Sequence, residues 1–362
     1  MRVLHVEAGR HVYGGGRQVL LLASGLQARG IDTHLVCPRG SAIATEAGGL
    51  GLAVTEIPWG GDLDLAVWAR LVGLIRHVAP DLVHVHSRRG ADVWAGLAAR
   101  TCQRRAVLSR RVDNPLRPGH RWLMGRAYAR VITISAGIRE VLTSAGVPPA
   151  RVRCVPSAVE LAAQPQPCRR AQAFAALGLR AEDRPVGMVA QLIRRKGHDV
   201  LLQALPQVIA REPRLRVLLF GRGKRHHDIA ARVAKLGLAG HVRLLGYRED
   251  LPQLLPCLEF LVHPAWMEGL GVSLLQAGGE EIPAIATRVG GIPEVIVDGV
   301  TGALVAPGDA DALAARMIAW LADPALVRAY GRELRAHIRS RFSLDAMVEG
   351  NLAVYREVLA ES

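Results

Sequence analysis

EGLGVSLLQ, residues Glu268 to Gln276, is the stretch on which the reading of this chain turns. The apolar run FLVHPAWM (Phe260 to Met267) before it reads as a buried strand and its exit loop, and Val272 to Ala277 after it has helix-like composition. Gly269 and Gly271 at this strand-to-helix turn let backbone N–H groups approach a ligand with no Cβ in the way. The helix then aims its positive end and four unpaired N–H groups at the same spot, a corner that binds anions, most often phosphate. Gln276 lies more than a turn into that helix, on the face shared with Val272 and Ser273. At ~1.5 Å per residue it stands about a phosphate-to-ribose distance from the tip. Glu268 could thus hold a sugar, the backbone a diphosphate and Gln276 a ribose. The same pattern also fits an ordinary glycine-containing βα loop in any doubly wound sheet, so the rest of the chain has to decide.

Outward from this corner, strand and helix patterns alternate along almost the whole sequence. RVLHV (2–6) is a short apolar strand, followed by the Gly9–Gly16 loop and an amphipathic helix over 17–29 that Gly30 stops. Strands are expected at Thr33–Cys37, Val54–Ile57, Asp81–His86, Ala106–Ser109 and Val131–Ser135, with helices at Leu65–Val78, Gly90–Arg100, Arg121–Ala129 and Ala136–Ala145. Residues 160–184 break the rhythm with Pro165, Pro167 and Arg169–Arg170, then the alternation restarts at Val186–Ala190 and runs on to Asp311–Leu321. Such alternation predicts parallel sheets covered on both faces: an α/β chain of two doubly wound, Rossmann-like domains facing across a cleft. The domains are placed at 1–162 and 163–344, and a C-terminal helix about 345–362 is a candidate to pack back on the first. Ligands of such sheets sit at the carboxyl ends of the strands, where the polar loops fall.

Composition sets further bounds. A chain of 362 residues, half of them hydrophobic, is too long for one ordinary core and suggests two. No apolar run reaches the ~18 residues of a membrane span, and MRVLHVEAG reads as a first strand rather than a signal peptide. The five cysteines (Cys37, Cys102, Cys154, Cys168, Cys257) are odd in number, scattered and never in C-x-x-C spacing, so reduced thiols, a cytoplasmic location and no metal site are expected. Net charge is +14, and residues 1–160 carry 21 Arg and no Lys against 11 acidic residues. A basic first half suits an anionic membrane surface or a phosphorylated acceptor; few aromatics accompany the arginines, which argues against nucleic acid.

Two glycine loops are weaker signals. Gly14, Gly15 and Gly16 form a candidate phosphate loop, but no G-x-G-x-x-G spacing follows the first strand. Gly221 and Gly223 also lack the third glycine, position 226 being His226, which disfavours a nicotinamide dehydrogenase. Arg194, Arg195 and Lys196 precede Gly197 directly after the first strand of the second domain. A cation there is in reach of a diphosphate at Gly269–Gly271, although a solvated basic turn is the plainer reading of those residues taken singly.

The stretches YGGGRQVLLLASGLQARG, VITISAGIREVL, AQLIRRKGHDVLLQAL, VLLFGRG, VRLLGYREDLPQLL, HPAWMEGLGVSLLQA, IATRVGGIPEVI and GALVAPGDADAL resemble, in order and over nearly the whole chain, glycosyltransferase family 4 of the GT-B fold. That resemblance implies a retaining transfer from a nucleotide diphosphate sugar. It assigns Lys196 to the donor diphosphate, Glu268 to hydroxyls of the donor sugar, and Gly269, Leu270, Gly271 and Val272 to the backbone cradle. Gly15, Gly16, Arg194, Gly221 and Tyr247 complete the expected donor set. Three positions depart from the family: Gln191 stands where an arginine usually helps bind the diphosphate, Gln276 replaces the ribose-binding acid, and Arg110–Arg111 stand where many members show a histidine. No Asp-x-Asp lies at a strand end (Asp62 and Asp64 fall in a loop before a helix), so no metal and no cofactor are expected.

The acceptor is expected on the first domain, where Arg88, Arg89, Arg104, Arg105, Arg110, Arg111 and Arg117 crowd together. Arginine forks grip phosphate or carboxylate at two points. They point to an anionic glycan or glycolipid such as a phosphorylated lipopolysaccharide core, met at the cytoplasmic face of the inner membrane. Of the two histidines alternating on DLVHVH, His84 reads as a packing residue and His86 as a site candidate. The rival readings are a nucleotide-sugar epimerase or phosphorylase of the same fold and a non-catalytic nucleotide-sugar-binding protein.

Overall fold

A computed structural model describes residues 1–86, 90–114, 116 and 120–361. The chain divides into two units, Met1–Ala158 with Leu344–Ser362, and Val159–Ser343. These divisions fall at 158/159 and 343/344, four residues and one residue before the junctions read from sequence.

The first unit carries strands β1 (Arg2–Val6), β2 (Asp32–Pro38), β3 (Ala53–Ile57), β4 (Leu82–Val85), β5 (Arg105–Arg110), β6 (Arg130–Thr133) and β7 (Val152–Cys154). Between them run α1 (Gly14–Gln27), α2 (Ala42–Gly49), α3 (Leu65–Val78), α4 (Ala91–Thr101), α5 (His120–Ala127) and α6 (Ala136–Ser144). The seven strands are ordered β3-β2-β1-β4-β5-β6-β7. Each recorded pairing is parallel; His5 of β1 sits beside Leu35 on one side and His84 on the other. β1 and β4 are apolar almost without interruption because helices cover both faces, so no alternation is imposed. Helix starts follow local chemistry: Ser135 accepts a hydrogen bond from Ile138 N at the head of α6, and Asp64 from Ala66 N at the head of α3.

In the second unit, α7 (Arg170–Leu177) leads to β8 (Arg184–Val189), α8 (His198–Arg211), β9 (Leu215–Phe220), α9 (His226–Lys235) and β10 (Val242–Gly246). After α10 (Leu251–Leu254) come β11 (Leu261–His263), α11 (Val272–Gly279), β12 (Ala284–Thr287), α12 (Ile292–Val295), β13 (Gly302–Val305), α13 (Ala310–Ala322) and α14 (Pro324–Arg341). The sheet order is β10-β9-β8-β11-β12-β13. Its core gathers Val186, Met188, Leu219, Phe260 and Trp320, with the Phe260 and Trp320 rings edge to face at 5.2 Å.

The last helix, α15 (Leu344–Ala360), belongs to the first unit. Val348, Leu352 and Tyr355 are buried with Leu22 and Leu26 of α1. A Cβ on Gly25 would stand 2.5 Å from a methyl of Val348, so the two helices approach over a bare backbone. Glu357 accepts from Arg130 at 2.8 Å and from Arg153 Nε at 3.0 Å, tying the helix to β6 and β7.

One sequence expectation is overturned. Cys168 and Cys257, expected as reduced thiols, form a disulfide with Cα atoms 4.9 Å apart. The turn Leu255–Cys257 before β11 brings Cys257 against the segment entering α7, from 89 residues away. Contacts over that distance leave no spacing signature in the sequence.

Candidate active site

In both units the sheet order reverses between the first and fourth strands, so neighbouring loops there run to opposite sides and leave a crevice. In the second unit these strands are β8 and β11. The loop after β8 carries Arg194, Arg195 and Lys196 as a short 3-10 turn. Gly197 closes it at φ 75°, and a Cβ there would lie 1.7 Å from the Pro264 carbonyl oxygen. Only glycine allows the Lys196 loop to pass that close to the exit of β11.

The outcome of this close passage is a buried polar cluster. Lys196 Nζ donates to Glu268 Oε2, although the residues are 72 positions apart. The same oxygen meets His263 Nε2 at 2.8 Å, and Glu268 Oε1 accepts from Gly269 N at 3.1 Å. The side chains of Lys196 and Glu268 are only 11% and 14% exposed. Burial pushes the Glu268 carboxyl upward, but the His263 hydrogen bond and the charges of Lys196 and His263 outweigh it and hold the group well below the usual carboxylate range. Glu268 is therefore an anion at neutral pH. Beside it, Gly271 takes φ 97° and caps the eight-residue α11. His198, at the start of α8, is buried with both ring nitrogens unpartnered. Burial, then the charge of His263, pull its pKa down to about 4.

The remaining donor candidates of this unit stand on strand-end loops. Gln191 and Arg194 are exposed after β8, and Gln276 is exposed on α11. Gly221 follows β9, where a Cβ would lie 2.0 Å from the Ala190 carbonyl oxygen. Tyr247 follows β10, 47% exposed, with the Arg222 guanidinium 5.3 Å from its ring centre. Leu270 and Gly271 are buried, Val272 half-buried. Gly15 and Gly16 lie in the other unit, in the first turn of α1.

The crevice of the first unit lies between β1 and β4 and holds a cavity of ≈ 280 Å³ lined by Glu7, Gly15, Gly16, His86, Ser109, Arg110 and Arg111, among others. Arg110 is buried at the end of β5 and donates to the Asn114 carbonyl oxygen. Arg111 donates to Ser157 Oγ at 3.3 Å, and burial lowers its pKa to about 10. His86 Nε2 lies 2.9 Å from His5 Nδ1. His84 is a packing residue, bonded to Tyr355 Oη at 2.5 Å and to Ser109 Oγ at 2.8 Å. The ligating atoms of His5, His84 and His86 lie within 4.8 Å of one another, the spacing of a candidate metal cluster. Burial depresses the pKa of all three, to about 3 for His5, so they pack as neutral imidazoles. The acceptor candidates Arg88 and Arg89 lie outside the described residues.

His263, Glu7 and Ser109 escaped the sequence reading. His263 had a signal, a polar residue ending an apolar strand just before the glycine corner. Glu7 and Ser109 had none, since each matters only through the neighbouring strand.

Two parallel-sheet units with charged loops gathered at their switch points are the architecture found in GT-B glycosyltransferases, and comparison with known proteins gives the class. The Glycosyltransferase Family 4 profile matches residues 12–163, and the Glycosyl transferases group 1 profile matches residues 169–339. The lipopolysaccharide core biosynthesis mannosyltransferase LpcC of Rhizobium leguminosarum bv. viciae is 27% identical over 312 residues, 83% of this chain and 86% of that protein. A D-inositol 3-phosphate glycosyltransferase of Mycobacterium marinum is 27% identical over 388 residues, 96% of this chain and 82% of that one. The crystal structure of Anabaena Alr3699/HepE in complex with UDP and glucose superposes with a TM-score of 0.87 at 21% identity, covering 99% of this chain and 100% of that one. The chain belongs to the family 4, group 1 glycosyltransferases, and it is an enzyme of that type.

Proposed function

We propose that this enzyme moves a sugar, with retention, from a nucleotide diphosphate sugar to an anionic cell-envelope glycan or glycolipid of the lipopolysaccharide-core kind. The observation that carries the reading is the buried Lys196–Glu268–His263 cluster beside the capping glycine of α11, at the switch point of the second sheet. The donor diphosphate takes the N-terminus of α11 and the Lys196 charge, with Arg194 standing in for the arginine that Gln191 replaces. Glu268, held ionised and fixed by His263, binds hydroxyls of the sugar as its ring gains positive charge. The bond from the anomeric carbon to phosphate breaks as the acceptor oxygen bonds that carbon from the same face. The acceptor's hydroxyl proton leaves with the diphosphate oxygen. The protein's own cations meet the leaving charge, so the proposal calls for no metal.

The acceptor's charged group takes the cavity of the first unit, where Arg110 and Arg111 stand with His86 and Ser109. LpcC, by its description a lipopolysaccharide core enzyme, supports that acceptor class because its similarity runs through both halves of the chain. Such an acceptor is embedded in lipid, so the enzyme works peripherally at the cytoplasmic face of the inner membrane. A thermal-shift panel of nucleotide sugars, headed by mannosyl donors, tests the donor half. The expected result is a rise in melting temperature with one nucleotide family and slow release of its nucleoside diphosphate; no shift with any donor would overturn the proposal.

A further inference from the structure

The first unit holds a second cavity, of ≈ 250 Å³, between α5 and the turn that enters β7. β5, β6 and β7 run parallel, so the segments entering β6 and β7 lie at the sheet edge opposite to the one where Arg110 ends β5. The wall of this cavity is largely apolar, formed by the buried Met124, Val131 and Val147 with Pro148 beside them. Met124 is the one lining residue it has in common with the cavity at the carboxyl ends of the strands.

The charged lining residues are all cations: Arg121, Arg126 and Arg151. The surrounding sequence offers little to offset them, since residues 120–151 hold five arginines and a single acid, Glu140, which does not line the cavity. Nearby acids are already engaged: Glu357 takes Arg130 and Arg153, and Glu361 takes Arg130. Arg151 donates to the Gly125 carbonyl oxygen, which uses one N–H of the fork and leaves others. Arg121 makes no hydrogen bond or ion pair with the described residues, and its guanidinium lies over bare backbone. Gly146, at φ 83°, leaves that room; a Cβ there would stand 2.6 Å from Arg121 Nη1.

Guanidinium forks without counter-charges beside an apolar wall fit an anion that carries a carbon body. A phosphomonoester brings about two negative charges at neutral pH and three acceptor oxygens, enough for both Arg121 and Arg151. A carboxylate brings one charge and two oxygens. We propose that this cavity is an anion site, separate from the acceptor cavity, that takes a small organic phosphomonoester. Its phosphate lies between Arg121 and Arg151, and its carbon body rests on Val131 and Val147. The inference does not depend on the donor and acceptor readings above.

The test titrates the full chain with phenyl phosphate by calorimetry, with inorganic phosphate, benzoate and phenol for comparison. Wild type is set against Arg121→Gln and Arg121→Gln/Arg151→Gln. Arg121 is exposed and unbonded, so the single variant should melt with the wild type even if losing the Arg151 tie to Gly125 unsettles the double one. Neither arginine lines the other cavity, so a loss of binding reports on this one alone. Phenyl phosphate should bind wild type, ~10-fold more weakly in Arg121→Gln and weaker still in the double variant, with salt reducing all three. Hydrogen exchange over residues 145–151 should slow on adding phenyl phosphate to wild type. Absence of binding to wild type, or equal binding to Arg121→Gln, would overturn the site. Inorganic phosphate binding as tightly as phenyl phosphate would remove the carbon body from the proposal, and equal binding of benzoate would remove the phosphate.

Discussion

Replacing Glu268 with glutamine removes one charge from the Lys196–Glu268–His263 cluster and leaves its shape almost intact. Breaking a fully enclosed ion pair from one side costs ~3–5 kcal/mol. Here the amide oxygen still accepts from His263 or Lys196, so the loss is nearer the worth of one charge-assisted bond, ~2 kcal/mol. For a unit of this size that lowers the melting temperature by ~4–8 °C at neutral pH. The pH dependence separates this cause from others. The carboxyl of Glu268 is held below its ordinary value in the folded state, so its contribution is complete above the unfolded pKa of ~4.3 and is lost as pH falls further. Glutamine has no such dependence. The gap between wild type and Glu268→Gln should therefore be widest at neutral pH and close as the medium is acidified below ~pH 4. In steady-state kinetics with the matched donor, turnover should drop ~100-fold. Affinity for the nucleoside diphosphate should hold or rise, because a negative charge beside the phosphates is gone. Calorimetric melting across pH and titration with the nucleoside diphosphate supply both readouts. Normal turnover with intact nucleotide binding would remove Glu268 from the mechanism, and a melting gap unchanged by acid would remove its charge from the stability argument.

Gln276→Glu alone should bind the nucleoside diphosphate no better than wild type, because the new charge faces the phosphates where Gln191 supplies none in return; Gln191→Arg with Gln276→Glu should bind several-fold tighter by calorimetry, ~1 kcal/mol. Thiol titration of the unfolded chain should count three free cysteines (Cys37, Cys102, Cys154) before reduction and five after it. Reduction should also lower the melting temperature, since closing an 89-residue loop stabilises by at most about 4 to 5 kcal/mol in the chain-entropy account. Tyr355→Phe leaves His84 Nδ1 buried without its partner and should cost about 1–3 kcal/mol in denaturant unfolding; an unchanged midpoint would mean that bond contributes nothing.

The sequence alone was enough for the strand–helix alternation, the two sheets and the glycine corner at 268–272. Each of these rests on requirements met within a few neighbouring residues: an apolar run long enough for a covered strand, a helix cap, a glycine where a Cβ has no room. Lys196 and Glu268 could be named separately for the same reason. Their hydrogen bond could not be read, because it depends on β8 lying beside β11 in the sheet, which is a matter of strand order and not of spacing. Strand order likewise set His84 beside His5, and made a cavity wall of Arg110 and Arg111, which the sequence names as acceptor candidates without showing what they line. The Cys168–Cys257 bond belongs to the same class. Local chemistry fixes which elements form and where a phosphate corner opens; only the packed sheet decides which distant side chains share a proton, a charge or a sulfur bond, because those contacts exist only once the intervening chain is folded.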